Sequence, residues 1–156
     1  MSRYRFVALM WFSFSLLGLA GCAAQPTASQ APVTALQPNM ARVWVLRTPS
    51  LGSVTTGADP MVYANGAPLA QSAQKTVFYH DFQPGTYRFT VQSYGAVTNQ
   101  VDTLQLAPGT EAYVQVVAEP NYYLGSSASG VSFAMMTMAP QEAQASMESL
   151  TNIGQR

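Results

Sequence analysis

The sharpest alternation of apolar and polar positions lies between Thr86 and Tyr94. Tyr87, Phe89 and Val91 alternate there with Arg88, Thr90 and Gln92. A period of two sends one set to a core and the other to water along a β-strand. Similar stretches recur along the chain. Arg42–Arg47 (RVWVLR) is β-branched and aromatic, Met61–Ala64 is short and apolar, and Lys75–Phe82 (KTVFYHDF) reads as a third strand. Val101–Leu106 places Leu104 and Leu106 on one face. Glu111–Ala118 alternates Ala112, Val114, Val116 and Ala118 against Tyr113 and Gln115. Val131–Met138 offers Val131, Phe133 and Met135 as a core face. Turn chemistry separates these runs. Asn65-Gly66 fits a type I′ hairpin turn, which needs positive φ at both residues. Gln83-Pro84-Gly85 and Ala107-Pro108-Gly109 combine a fixed proline φ with a permissive glycine. After Pro140, which suits a first helical turn, Gln141–Leu150 carries helix formers with Ala143, Met147 and Leu150 on one face. Thr151–Arg156 is expected to fray. About seven short strands and one short C-terminal helix predict an all-β antiparallel sandwich, with a closed barrel as the alternative.

The first forty residues follow other rules. Arg3 and Arg5 precede an apolar run from Phe6 to Leu19, too short for a comfortable membrane-spanning helix. Leu19-Ala20-Gly21-Cys22 comes next, and Cys22 is the only cysteine. An aliphatic residue, two small residues and Cys resemble the lipobox of bacterial lipoprotein signals. The resemblance implies cleavage between Gly21 and Cys22 and lipid on Cys22, and it accounts for an odd thiol in an exported chain. Two or three acyl chains hold a protein stably where one is marginal, at about 0.8 kcal/mol per buried CH₂. Ala23, where an inner-membrane retention signal would carry Asp, points to the outer membrane. Residues 23–39 (AAQPTASQAPVTALQPN) are mostly Ala, Pro, Gln, Ser and Thr, without charge. They read as a tether with a coil end-to-end distance of about 20–25 Å. The expected organisation is therefore a signal peptide at 1–21, a lipidated cysteine and flexible linker at 22–40, a β-domain at 41–138, and a helix and tail at 139–156.

Charge narrows the partners. Residues 22–156 carry seven acids against Arg42, Arg47, Lys75, Arg88 and Arg156, a net charge of −2. No basic patch suits nucleic acid or anionic lipid. Candidate chemistry is equally sparse. His80 is the only histidine, and its neighbour Asp81 should point to the opposite face of a strand. One histidine and scattered acids do not make a transition-metal site. The serine-rich 125–130 segment lacks nucleophile-elbow spacing, and no glycine-rich phosphate loop is present. Met135, Met136 and Met138 are expected to pack rather than to ligate a soft metal. Tyr122 and Tyr123, in the Asn121–Gly130 loop, are the candidate partner-binding residues, because an exposed aromatic can contact a protein or glycan. No catalytic residue, metal or cofactor is predicted.

Residues 41–138 also resemble a known family. The carrying motifs are Ala41-Arg42-Val43-Trp44-Val45, Val62-Tyr63-Ala64-Asn65-Gly66, Phe78–Tyr87 (FYHDFQPGTY) and Leu106–Val114 (LAPGTEAYV). Together they are similar to the DUF2846-type domain of bacterial envelope lipoproteins, a family without an established biochemical function. The resemblance implies a β-domain and brings no catalytic residues. The expected function is a lipid-anchored, non-enzymatic binding or scaffold module at the periplasmic face of the outer membrane. Its partner would be an envelope protein or glycan, with the membrane reached through Cys22. The alternatives are an envelope enzyme such as a cell-wall hydrolase, and an accessory component of a secretion or envelope assembly.

Overall fold

The structure is a computed structural model that describes residues 30–49, 58–92, 102–121 and 130–156. Cys22, Gly21, Tyr122 and Tyr123 lie outside the described residues.

Among the described residues, nine strands form two sheets. The first sheet has the order β8-β7-β1-β4-β9 and the second β3-β2-β5-β6. The strands are β1 (Ala41–Arg47), β2 (Met61–Ala64), β3 (Ala67–Gln71), β4 (Thr76–Phe82), β5 (Gly85–Val91), β6 (Asp102–Leu106), β7 (Glu111–Asn121), β8 (Gly130–Thr137) and β9 (Thr151–Gln155), with helix α1 at Pro140–Met147. The all-β sandwich with a short helix near the C-terminus is as expected. The count differs: nine strands, not about seven.

β1 is the centre of the first sheet and all seven of its residues are buried. Its inner face (Ala41, Val43, Val45) packs with Phe78 and Phe82 of β4 and with Val62, Phe89, Val91 and Leu106 of the second sheet. Its outer face carries Trp44 and Leu46 into a second, smaller core. Val77, Tyr79, Tyr113, Met138, Ala143 and Leu150 complete that core, and α1 roofs it. A strand covered on both faces reads as a continuous run rather than an alternation. β5 and β7 follow the alternation instead. Phe89 and Val91 are buried while Arg88 is exposed, and Val114 and Val116 enter the inner core while Tyr113 faces α1.

The two added strands have weak local signals. β3 pairs antiparallel with β2 across the predicted Asn65-Gly66 turn, where φ is +49° and +82° as a type I′ turn requires. Its sequence APLAQ has little β-propensity, and Pro68 fits only because β3 is an edge. β9 occupies the tail expected to fray, and it pairs in parallel with β4. The Thr151 amide donates to the Lys75 carbonyl at 2.9 Å, and the Arg156 amide to Tyr79 at 2.9 Å. β1 and β7 are also parallel, so the first sheet is mixed rather than purely antiparallel.

Residues 30–40 contain no helix or strand, but they are docked. The Ala31 amide donates to the Asn152 carbonyl at 2.9 Å. The Gln30 side chain donates to Leu150 O at 3.1 Å and accepts from the Asn152 amide at 2.6 Å. The Thr34 amide donates to the Tyr79 hydroxyl at 3.0 Å. The Gly109 amide then donates to Met40 O at 2.7 Å, where the chain enters β1. This strap covers the free edge of β9, a position where an unpaired strand would invite other chains.

Candidate functional site

Among the described residues, two regions bring chemically capable side chains together. The first lies on the outer face of the first sheet. Arg42 and Asp81 face one another across the β1–β4 ladder. Arg42 Nε and Nη2 donate to the two Asp81 carboxylate oxygens at 2.7 and 2.8 Å. The Arg42 side chain is 2% exposed and Asp81 13%. The guanidinium lies 4.0 Å from the Tyr79 ring centroid and 5.7 Å from that of Trp44. The Asp81 hydrogen bond holds the Arg42 pKa above its ordinary value, with burial opposing it. Next along the ladder, Glu111 accepts from the Trp44 indole at 3.3 Å and from the Tyr113 hydroxyl at 2.8 Å. Burial, reinforced by the Glu111 hydrogen bond, pushes the Tyr113 phenol up. Each charge in this cluster is directed at a partner inside it. Such an arrangement fixes side chains in place.

The second region is a cleft of about 450 Å³ between the β3 edge of one sheet and β9 of the other. Met61, Leu69, Ala70 and Ile153 supply apolar wall, while Asp59, Gln71 and Arg156 supply polar groups. One of these charges is held from below. Arg47, buried at the end of β1, donates to Asp59 at 3.3 Å and to the Ser72 carbonyl, and its guanidinium lies 5.0 Å from the Phe133 ring centroid. An apolar wall with a few fixed polar groups suits recognition of a small or extended ligand. A further hollow of about 440 Å³, lined by Asn65, Gly66, Arg88 and Thr90, lies at the β2–β3 turn.

The sequence-predicted residues fare differently. His80 and Asp81 do point apart: Asp81 bonds Arg42, whereas His80 Nδ1 contacts the Arg156 carbonyl. Burial lowers the His80 pKa, against the pull of the Asp81 charge. The three methionines are not brought together, since Met135 lies in the inner core, Met138 in the outer core, and Met136 is 54% exposed. Among the described residues, no three His, Cys, Asp or Glu side chains converge on a metal-sized site. Tyr122, Tyr123 and the 125–129 serines lie outside the described residues, as do Gly21 and Cys22. Sequence reading missed the Arg42–Asp81 pair. Its signal was an arginine inside an otherwise apolar strand, which demands a buried partner.

No family model matches the chain, and no curated protein and no solved structure matches it.

Proposed function

We propose that the protein is a lipid-anchored binding or scaffold module of the bacterial cell envelope, held at the outer membrane through Cys22 and facing the periplasm. The observation that carries this reading is the Leu19–Cys22 lipobox behind a basic start and an apolar run. The module acts by recognition rather than by chemistry, on an envelope protein or a glycan. In support, the Arg42–Asp81 and Glu111–Tyr113 groups are engaged with one another, and the β3–β9 cleft combines apolar wall with two opposite charges. Tyr122 and Tyr123 belong to the proposed contact set. The resemblance of residues 41–138 to the DUF2846-type domain is part of the same reading.

Two measurements test it. Palmitate labelling of the wild type and of Cys22→Ser tests the anchor; equal labelling of both removes it. In-cell crosslinking of the intact lipoprotein, with mass spectrometry of captured species, tests the module. The control is a chain that keeps residues 1–40 alone. Capture of one envelope component that needs residues 41–156, and that weakens in Tyr122→Ala/Tyr123→Ala, is the expected result. Identical capture by the control refutes the docking function.

A further inference from the structure

We propose that the cleft between β3 and β9 binds a short zwitterionic peptide. Asp59 takes its ammonium group, Leu69 and Ile153 take an apolar side chain, and Arg156 takes its carboxylate. This goes beyond the docking reading and does not depend on the anchor at Cys22.

The cleft lies where the sandwich stays open. On the far side, Thr137 of β8 donates to Asp102 of β6 and ties the two sheets together. Between β3 and β9 a space of about 450 Å³ remains. That is within the range of small-ligand sites, roughly 300–1,000 Å³. Leu69, Ala70 and Ile153 pack against the margin of the inner core and are only half-buried, so they offer apolar surface to an occupant. Strand addition is disfavoured at both walls. Pro68 of the β3 edge has no N–H to give, and Asn152 of β9 already pairs with Ala31. Recognition therefore falls to side chains.

Two opposite charges line this space, and they do not pair with each other. Arg47 Nη1 donates to Asp59 Oδ1 at 3.3 Å from below, with Arg47 1% exposed and Asp59 44%. That bond orients the carboxylate. Among the described residues, Asp59 Oδ2 has no hydrogen-bond partner. Arg156 is fixed through its backbone. Its amide donates to the Tyr79 carbonyl at 2.9 Å, and its carbonyl contacts His80 Nδ1. Among the described residues, its guanidinium has no acid partner. Opposite charges held apart over an apolar wall complement a molecule with a cation, an apolar body and an anion. An apolar ligand or a neutral sugar meets neither charge with an ion. A zwitterionic peptide with an apolar side chain meets all three features.

The test is calorimetric titration of the intact lipoprotein in detergent micelles with L-alanyl-L-leucine. Three altered ligands leave the protein untouched: the N-acetylated peptide, the carboxyl-amidated peptide and L-alanyl-L-serine. Saturable binding with a Kd below about 1 mM is expected. Either cap should weaken it by about fivefold, and serine by about tenfold. Arg156→Gln should weaken binding of alanyl-leucine but not of the amidated peptide, because the lost charge has no counterpart there. Absence of saturable binding overturns the proposal, as does equal affinity for capped and uncapped peptides. Free leucine binding as tightly as the peptide also overturns it. In each of these cases an envelope component that crosslinks through residues 41–156 still upholds the docking reading, so the two fail separately.

Discussion

Removing the Asp81 carboxylate tests whether the outer-face cluster is a fixed part of the fold. Arg42 is 2% exposed and makes two charge-assisted hydrogen bonds to Asp81, at 2.7 and 2.8 Å. In Asp81→Ala the guanidinium keeps its place between Tyr79 and Trp44 but loses its counter-charge. Breaking a buried pair from one side costs about 3–5 kcal/mol, and the 13% exposure of Asp81 argues for the lower end, about 3 kcal/mol. Removing both charges with Arg42→Met/Asp81→Leu should cost less than about 1 kcal/mol, because no uncompensated charge then remains. Urea unfolding reads both numbers. In a chain starting at residue 22, Trp44 is the sole tryptophan, and it lies against this guanidinium. With a slope of about 1.5 kcal/mol/M, Asp81→Ala should move the midpoint down by about 2 M. A loss below about 1 kcal/mol, or a double variant as unstable as the single, would refute the reasoning. The Asp81 hydrogen bond raises the pKa of an already strongly basic guanidinium, so Arg42 stays charged and its contribution should not vary across the neutral pH range.

Three further outcomes follow from the same fold. Gly66→Ala meets no atom within 4 Å, so its cost should be the left-handed backbone alone (φ +82°), about 1 kcal/mol by thermal melting; an unchanged melting temperature counts against the hairpin. Gly154→Ala, at φ +86°, also brings a Cβ within 3.2 Å of Ala31, so limited proteolysis should cut the strap faster than in wild type, and an unaltered cleavage pattern would count against its docking. For His80, burial lowers the folded pKa below 6.5, so the unfolded chain binds the proton more readily. The neutral ring's contribution is therefore complete above pH 6.5 and declines as pH falls through that value. His80→Gln should flatten the loss of stability between about pH 7.5 and 5.5, and parallel curves would contradict the assignment.

The strands legible in the sequence are those whose burial is one-sided or whose turns are stereochemically forced. β5 shows its alternation because Arg88 faces water while Phe89 is buried. The Asn65-Gly66 turn was legible because its two positive φ values restrict the residues allowed. β3 and β9 were not legible, for a common reason. Each is held at a sheet edge by backbone pairing with a stronger strand, so its own side chains carry little of the information. For β9 that partner is β4, some seventy residues earlier, and no local pattern around Asn152-Ile153-Gly154 encodes the parallel ladder.

The outer cluster and the strap were hidden by different physics. Arg42 stands in an apolar strand, and an arginine in that setting looks like an interruption until its partner across the ladder is known. Asp81 drew notice beside His80, its neighbour in sequence, whereas its hydrogen bonds go to Arg42 on the adjacent strand. Residues 30–40 raise a more general point. Their short, uncharged sequence, rich in Gln, Pro and Ala with only Val33, Leu36 and Met40 as larger apolar residues, cannot build a core, which predicts that the segment does not fold alone. It does not predict that the segment stays free. Docking on a strand edge needs backbone donors and acceptors, which every non-proline residue has, plus one side chain of suitable reach. Gln30 supplies that reach, and Gly154 leaves the room in which Ala31 lies. A linker reading based on composition therefore overstates tether length wherever an open sheet edge lies within reach. In this chain residues 30–40 run along the sandwich from the Met40 end to Leu150 and Asn152.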